Sequence, residues 1–312
     1  MKIYNARGTF MNIQNTTQEI RRIFRQNFIF YLTGFLVILG MKYFYSNADC
    51  DDLVWILAPI AKWVELLSGI PFEYAPGAGY ANHSLRLLIA PSCSGVQFMI
   101  ITIAMLIFSF VHRITAAQYT DSPKFRSRLI KGFCWIITSI ALSYLFTIFV
   151  NGLRIIVAIY LPIFLSETVY NSFLTPDRLH TMIGIVVYFT ALLTIYRLTE
   201  FFFSGSVKLS DTLQETDISP TFSPQHRYRH RSAAHTACKY APLPQLLRKC
   251  LPPVFWYLFI ALGIPFLNNA YQKSNGKFME FAFLIFCCCT AILTLYGLVL
   301  FIGNRLKKDR HA

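Results

Sequence analysis

Six stretches of the chain are apolar for long enough to cross a bilayer, which takes about 17 to 25 residues of helix. They run roughly from Phe28 to Tyr45, Val96 to Val111, Gly132 to Val150, Thr181 to Phe203, Leu251 to Leu267 and Phe278 to Ile302. The second is short by that measure and gains length if its helix begins at Ser94. Inside hydrocarbon a helix satisfies its own backbone polar groups. The pattern therefore predicts an all-α fold: a polytopic membrane helical bundle of about six transmembrane helices. Between the first two spans, Asp49, Asp51 and Asp52 precede Leu53 to Ile70, where Trp55 and Trp63 stand among aliphatics. That composition predicts an amphipathic helix in the membrane interface. Pro76-Gly77-Ala78-Gly79 should end it, and the short run Leu85 to Ala90 should be extended or lie against the bundle. This interfacial or re-entrant outer segment can roof whatever follows it.

Composition agrees with a bilayer as solvent. Hydrophobic residues make up 55% and charged residues 14% of 312, against about 25% charged in soluble domains. A net charge of +14 would suggest nucleic acid in a soluble protein. Here the positive charges are distributed by orientation instead. With an even number of spans both termini share a side, and Arg21, Arg22 and Arg25 place that side in the cytoplasm. On that orientation 22 of the 29 Lys and Arg residues are cytoplasmic. The basic excess is thus explained by topology and contact with anionic membrane lipid, and no nucleic-acid partner is expected. The first apolar run is longer than a signal-peptide core and is not followed by a small-x-small cleavage pattern, so it reads as an anchor.

The eight cysteines do not form a disulfide framework. Cys134, Cys287, Cys288 and Cys289 fall in spans, Cys238 and Cys250 are cytoplasmic, and only Cys50 and Cys93 face the oxidising side. The Cys287 to Cys289 run reads as packing. The basic tract His226-Arg227-Tyr228-Arg229-His230-Arg231, with His235 and Cys238, is spaced loosely, and its guanidinium groups disfavour a divalent ion. No metal and no cofactor is expected. The tract belongs to a polar stretch, Ser204 to Lys249, punctuated by Pro220, Pro224, Pro242 and Pro244, which is linker composition. The last two spans form a helical hairpin turned by Asn268-Asn269 and Asn275-Gly276.

Three positions carry chemistry. Pro91-Ser92-Cys93-Ser94-Gly95 precedes the second span directly. A thiol at a helix N-terminus is favoured as thiolate, its reactive form. Ser94 can cap the helix, and Gly95 admits close approach of a substrate backbone. Taken alone, the run can equally be a turn and cap. Arg154 follows the third span, yet Ile155 to Leu165 is again apolar, so the chain should continue as a tilted or re-entrant helix with Arg154 at the lipid boundary or inside the bundle. An ionisable residue there is a functional candidate; a snorkelling arginine or an ion pair with Glu167 or Asp177 is the plain alternative. Its available role is to stabilise an oxyanion or hold a carboxylate, with Asn151 orienting it or adding a donor. His180 opens the fourth span after Thr175-Pro176-Asp177 and has the pKa range for proton transfer.

At these residues the chain resembles the exosortase and archaeosortase family of membrane cysteine transpeptidases. The match rests on Cys93-Ser94-Gly95, on Asn151-Gly152-Leu153-Arg154 as that family's Asn-x-x-Arg pattern, and on His180 before the next span. Most members have Ala where this chain has Ser92. Residues 91–99 bear a faint likeness to the exosortase K subtype, which assigns none. The resemblance covers about Phe28 to Phe203. It implies a catalytic membrane domain over 28–203 and does not account for the rest, which spans and composition divide into a cytoplasmic tail over 1–27, a cytoplasmic linker over 204–250, an accessory transmembrane hairpin over 251–304 and a tail over 305–312. It also implies a prokaryotic plasma membrane, with the active site on its outer side. The implied substrates are exported proteins with a C-terminal motif, a transmembrane helix and a basic tail. Cys93 would be the nucleophile, His180 the general base and acid, and Arg154 the group that polarises the carbonyl, supported by Ser94, Gly95 and Asn151.

Two other readings remain open on sequence. A rhomboid-like serine protease would share only the span count, and no Gly-x-Ser-x-Gly is present. A transporter or structural membrane protein would use Arg154 and His180 to line a path, but paired intramembrane acids are sparse.

Overall fold

The computed structural model describes residues 4–116, 125–164, 175–216, 242–269, 272 and 276–309. The chain is an all-α polytopic helical bundle. Among the described residues six helices are long and apolar enough to cross a membrane: Arg21–Asn47, Pro91–Thr115, Arg126–Phe164, Pro176–Phe203, Cys250–Leu267 and Lys277–Ile302. These are the six expected stretches, each extended at one or both ends. The chain divides into two compact units, Met1–Ile183 and Gly184–Ala312.

In the first unit the helices are α1 (Tyr4–Asn47), α2 (Val54–Ser68), α3 (Val96–Ala116), α4 (Phe125–Phe164) and the opening of α5 (Pro176–Thr216). The helix apolar on all its sides is the one buried on all sides. That helix is α3, whose most apolar window is 83% buried, against 11% for α1 and 28% for α4. From Val96 to Ile107 only Gln97 is exposed. Rows of exposed Phe, Leu and Ile on α1 and α4, among them Phe28, Leu36, Ile137, Leu145 and Phe149, are the surface left for lipid.

Small residues set how closely these helices approach. A Cβ at Gly34 of α1 would stand 2.8 Å from Ile107 of α3, and one at Gly132 of α4 would overlap the ring of Phe30. Asn27 of α1 meets Thr115 at the end of α3 and Arg128 at the start of α4. At the other end, Gly95 lies against Asn151. Hence α1 and α4 run in one direction and α3 returns between them. The chain beyond Arg154 continues as helix without a break to Phe164, so α4 is 40 residues, about 60 Å long, roughly twice a hydrocarbon core.

The outer segment folds more than its composition predicts. α2 is the expected helix, ended by Gly69 in the left-handed conformation (φ 70°) with its N–H on the Glu65 carbonyl at 2.9 Å. It docks lengthwise on α4 rather than lying apart from the bundle. Tyr144 stacks on Trp55 and donates its hydroxyl to the Trp55 carbonyl at 3.0 Å. Trp63 packs on Phe149 and covers Gly152, where a Cβ would overlap the indole. Equal steps along the two chains, 55 to 63 and 144 to 152, make the helices parallel neighbours.

Three strands follow: β1 (Glu73–Ala75), β2 (Gly79–Asn82) and β3 (Leu87–Ile89). They form an antiparallel sheet in the order β1-β2-β3, with Tyr74 opposite Tyr80 and Tyr80 opposite Ile89. The expected break at Pro76-Gly77-Ala78-Gly79 is the β1–β2 turn, with Gly77 at φ 73°. Asp51 ties this turn to the start of α2, accepting from the Tyr74 hydroxyl at 2.6 Å and the Gly77 N–H at 3.0 Å. Those two donors hold the Asp51 carboxyl below its ordinary pKa, and the same bond pushes Tyr74 up to about 12.

The second unit holds the rest of α5, then α6 (Pro242–Leu258), a π-helical segment over Phe259–Gly263, the short α7 (Ile264–Leu267) and α8 (Lys277–Asp309). Tyr257 packs on Phe189; of the run expected to pack, Cys288 and Cys289 are buried and Cys287 is exposed. α5 runs past Phe203 to Thr216. The basic tract from His226 to Cys238, and Glu167, lie outside the described residues.

Candidate functional site

The strand β3 leads through extended Ala90 (φ −84°, ψ 167°) into a single 3₁₀ turn, Pro91–Cys93. Proline at its first position has the φ such a turn requires and lacks an N–H to satisfy. The turn closes by Cys93 N–H on the Ala90 carbonyl at 2.8 Å and Ser94 N–H on the Pro91 carbonyl at 3.0 Å. Ser94 is fully buried, and its Oγ accepts from the Val96 N–H at a long 3.5 Å, a weak cap for α3. Gly95 has φ 70°, a conformation that favours glycine. A Cβ there would lie 3.1 Å from both Asn151 Cγ and Thr147 Cγ2. The close approach that Gly95 allows in the fold is that of α4.

On α4, Ser139, Ser143, Thr147 and Asn151 recur every four residues, and Arg154 follows three later, so they share one face. All five are buried, Arg154 at 9% exposure. Asn151 is the joint of the site. Its amide nitrogen donates to the Cys93 carbonyl, and its amide oxygen faces an Arg154 guanidinium nitrogen at 3.5 Å. A second guanidinium nitrogen stands 2.9 Å from His180 Nε2.

His180 sits in the second turn of α5. Its position follows from a well-signalled helix start: Thr175 Oγ accepts the Arg178 N–H at 3.3 Å, Pro176 begins the helix and Asp177 lies in its first turn. Arginine only donates, so His180 Nε2 accepts, and the neutral ring carries its proton on Nδ1.

Three segments distant in sequence thus meet at one end of α3. The thiol itself is not yet joined to the others. Cys93 is a free, half-buried cysteine, and among the described residues its Sγ hydrogen-bonds neither Arg154 nor His180. The link to Cys93 is through its main-chain carbonyl. Reading by motif misses Thr147 and Trp63, which pack the turn and cover Gly152. The four-residue recurrence of small polar side chains on an otherwise apolar helix is the signal that marks Thr147; Trp63 has no comparable signal.

No protein-family model, no curated protein and no solved structure matches this chain.

Proposed function

We propose that this chain is a membrane-embedded cysteine peptidase or transpeptidase, which cleaves C-terminal sorting signals of exported proteins at the outer face of a prokaryotic plasma membrane. The observation that carries this reading is the hydrogen-bonded run from the Cys93 carbonyl through Asn151 and Arg154 to His180. It gathers a thiol, a permanent cation and an imidazole, the groups needed for acyl transfer. The outer-face assignment rests on the distribution of 22 of 29 basic residues to the other side.

The bond between Arg154 and His180 orders the steps. While Arg154 occupies Nε2, that nitrogen has no lone pair for the Cys93 proton. A substrate carbonyl that takes over the guanidinium releases Nε2, which then accepts the thiol proton as Sγ bonds to the carbonyl carbon. Arg154 holds the oxyanion. Collapse breaks the C–N bond, and the amine leaves with the proton from His180. Water or an acceptor amine next attacks the thioester, giving its proton to His180, and the Cys93 sulfur departs and is reprotonated. Arginine is needed at 154 because it combines a fixed charge with a planar set of donors.

The test is capture of a Cys93 thioester with an exported protein bearing such a C-terminal signal. His180→Ala should bind the substrate and accumulate no thioester. A thioester that forms at the wild-type rate in His180→Ala would remove the proton-transfer role. Normal processing by Cys93→Ala would remove the enzyme reading. Orientation is checked separately with Ser223→Cys in intact cells: labelling from the cytoplasmic side is expected, and labelling from outside overturns the outer-face assignment.

A further inference from the structure

The strand nearest the thiol is an edge strand. β3 pairs with β2 on one side, and its other side has no strand among the described residues. Which of its backbone groups face that open side follows from the contact at Gly79. The Ile89 carbonyl oxygen lies so close to Gly79 that a Cβ there would overlap it, so the Ile89 main chain points toward β2. Successive residues of a strand direct their N–H and C=O to opposite sides. Leu88 therefore presents its N–H and C=O to the open side, and extended Ala90 presents its N–H there too. An edge of this kind is a template for another strand.

Its placement names the occupant. Ile89 is followed by Ala90 and the 3₁₀ turn that ends at Cys93, so the edge runs directly to the thiol, within about 10 Å at 2.0 Å per residue of turn and 3.3 Å per residue of strand. A chain paired on Leu88 stays about 4.8 Å from β3, and its next residues lead toward the turn that holds Cys93. The face that carries Leu88, itself 51% exposed, also holds Ala81 directly opposite, with Glu73 beyond it on β1 and Ala75 diagonal to it, so the side chains next to the open edge are apolar and a carboxylate stands on the far strand. The anchoring is firm where it must be: Ile89 is buried, and Asp51 fixes the far hairpin through Tyr74 and Gly77.

We infer that the edge of β3 is the docking site for the extended segment of the polypeptide that acylates Cys93, held by main-chain hydrogen bonds to Leu88 and Ala90, with an apolar side chain beside Leu88. This rests on the cysteine-peptidase reading of the site. It adds that selection of the scissile bond begins with strand pairing outside the bundle, before any helix of the substrate is engaged.

The test uses the full chain in lipid nanodiscs and acetyl-Val-Ala-Val-Ala chloromethyl ketone. Cys93 displaces chloride from this reagent and is left as a thioether. Rates are normalised to those with glutathione, and Cys93→Ala protein supplies the background from other cysteines. The peptide reagent should alkylate Cys93 about tenfold faster than chloroacetone on that scale. N-methylation of single peptide amides should abolish the gain at alternate positions only, because alternate amides face the edge. A gain that is absent, or that survives methylation at every position, or is lost equally at every position, overturns strand pairing. Because the protein is unaltered, misfolding does not enter. Failure of strand pairing leaves Cys93 reactive toward iodoacetamide and thioester capture intact, whereas failure of the peptidase reading removes the thioester itself.

Discussion

The two ends of the first unit carry clusters built from the same parts and differ in one respect. At one end Asn27 accepts from the Thr115 hydroxyl at 2.6 Å and faces Arg128 at 3.3 Å, while Arg128 also donates to the Gln26 carbonyl at 2.8 Å. At the other end Asn151 joins the Cys93 carbonyl to Arg154, and Arg154 reaches His180. Each is an asparagine and an arginine tying three segments at an end of a bundle. Among the described residues the first is built from an amide, a hydroxyl, a guanidinium and main-chain carbonyls. The second adds a thiol and an imidazole. A buried arginine near a membrane boundary is therefore not a site by virtue of its charge.

Substitutions should separate the two ends, the largest effect first. Cys93→Ala and Cys93→Ser should each lower processing by on the order of a thousandfold or more with membrane insertion unchanged, as read by signal cleavage. Arg154→Lys should cost about a hundredfold, since the ammonium cannot serve His180 and a carbonyl in turn. Arg128→Lys should leave the rate within about twofold. Gly95→Ala lies between: the left-handed conformation and the tight contact to Asn151 and Thr147 must yield, and about a tenfold loss of rate is expected with Cys93 still alkylatable. Asn27→Ala should lower stability by about 1 kcal/mol in thermal unfolding and leave Cys93 alkylation unchanged. If Asn27→Ala impairs cleavage as Arg154→Lys does, the contrast between the ends fails.

The smallest effect concerns the outer cap. Because the Asp51 carboxyl is depressed, its contribution is present above the ordinary carboxylate pKa of about 4 and is lost as pH falls through its folded value. Tyr74 is raised, so its contribution is complete below about 10 and lost as pH rises through about 12. Between these limits Asp51→Asn should loosen the β1–β2 turn, seen as faster hydrogen exchange at Gly77, while the wild type shows no change across neutral pH.

Span number was legible because it depends on long apolar runs, which the six long apolar helices reproduce. The start of α5 was legible for a local reason, since Thr175, Pro176 and Asp177 are the residues that a helix N-terminus uses. The sheet was not. Its strands are three or four residues long, too short for alternation to show, and their pairing depends on the Asp51 bonds to Tyr74 and Gly77, contacts made across the fold. The contact of Gly95 with Asn151 and Thr147 was illegible for the same reason: sequence shows that space is required there, not what fills it.

Composition and residues close in the chain settle the solvent of the protein and its helical class, and they mark where a thiol, a guanidinium and an imidazole border the spans. Packing across the fold is what makes Asn151 the joint between Cys93 and Arg154, brings Arg154 to Nε2 of His180, and builds the sheet whose edge leads to the thiol. Those facts are distances between segments tens of residues apart. They are set by the close helix approaches at Gly34, Gly95 and Gly132 and by the docking of α2 over Gly152, which packing fixes and no local pattern encodes.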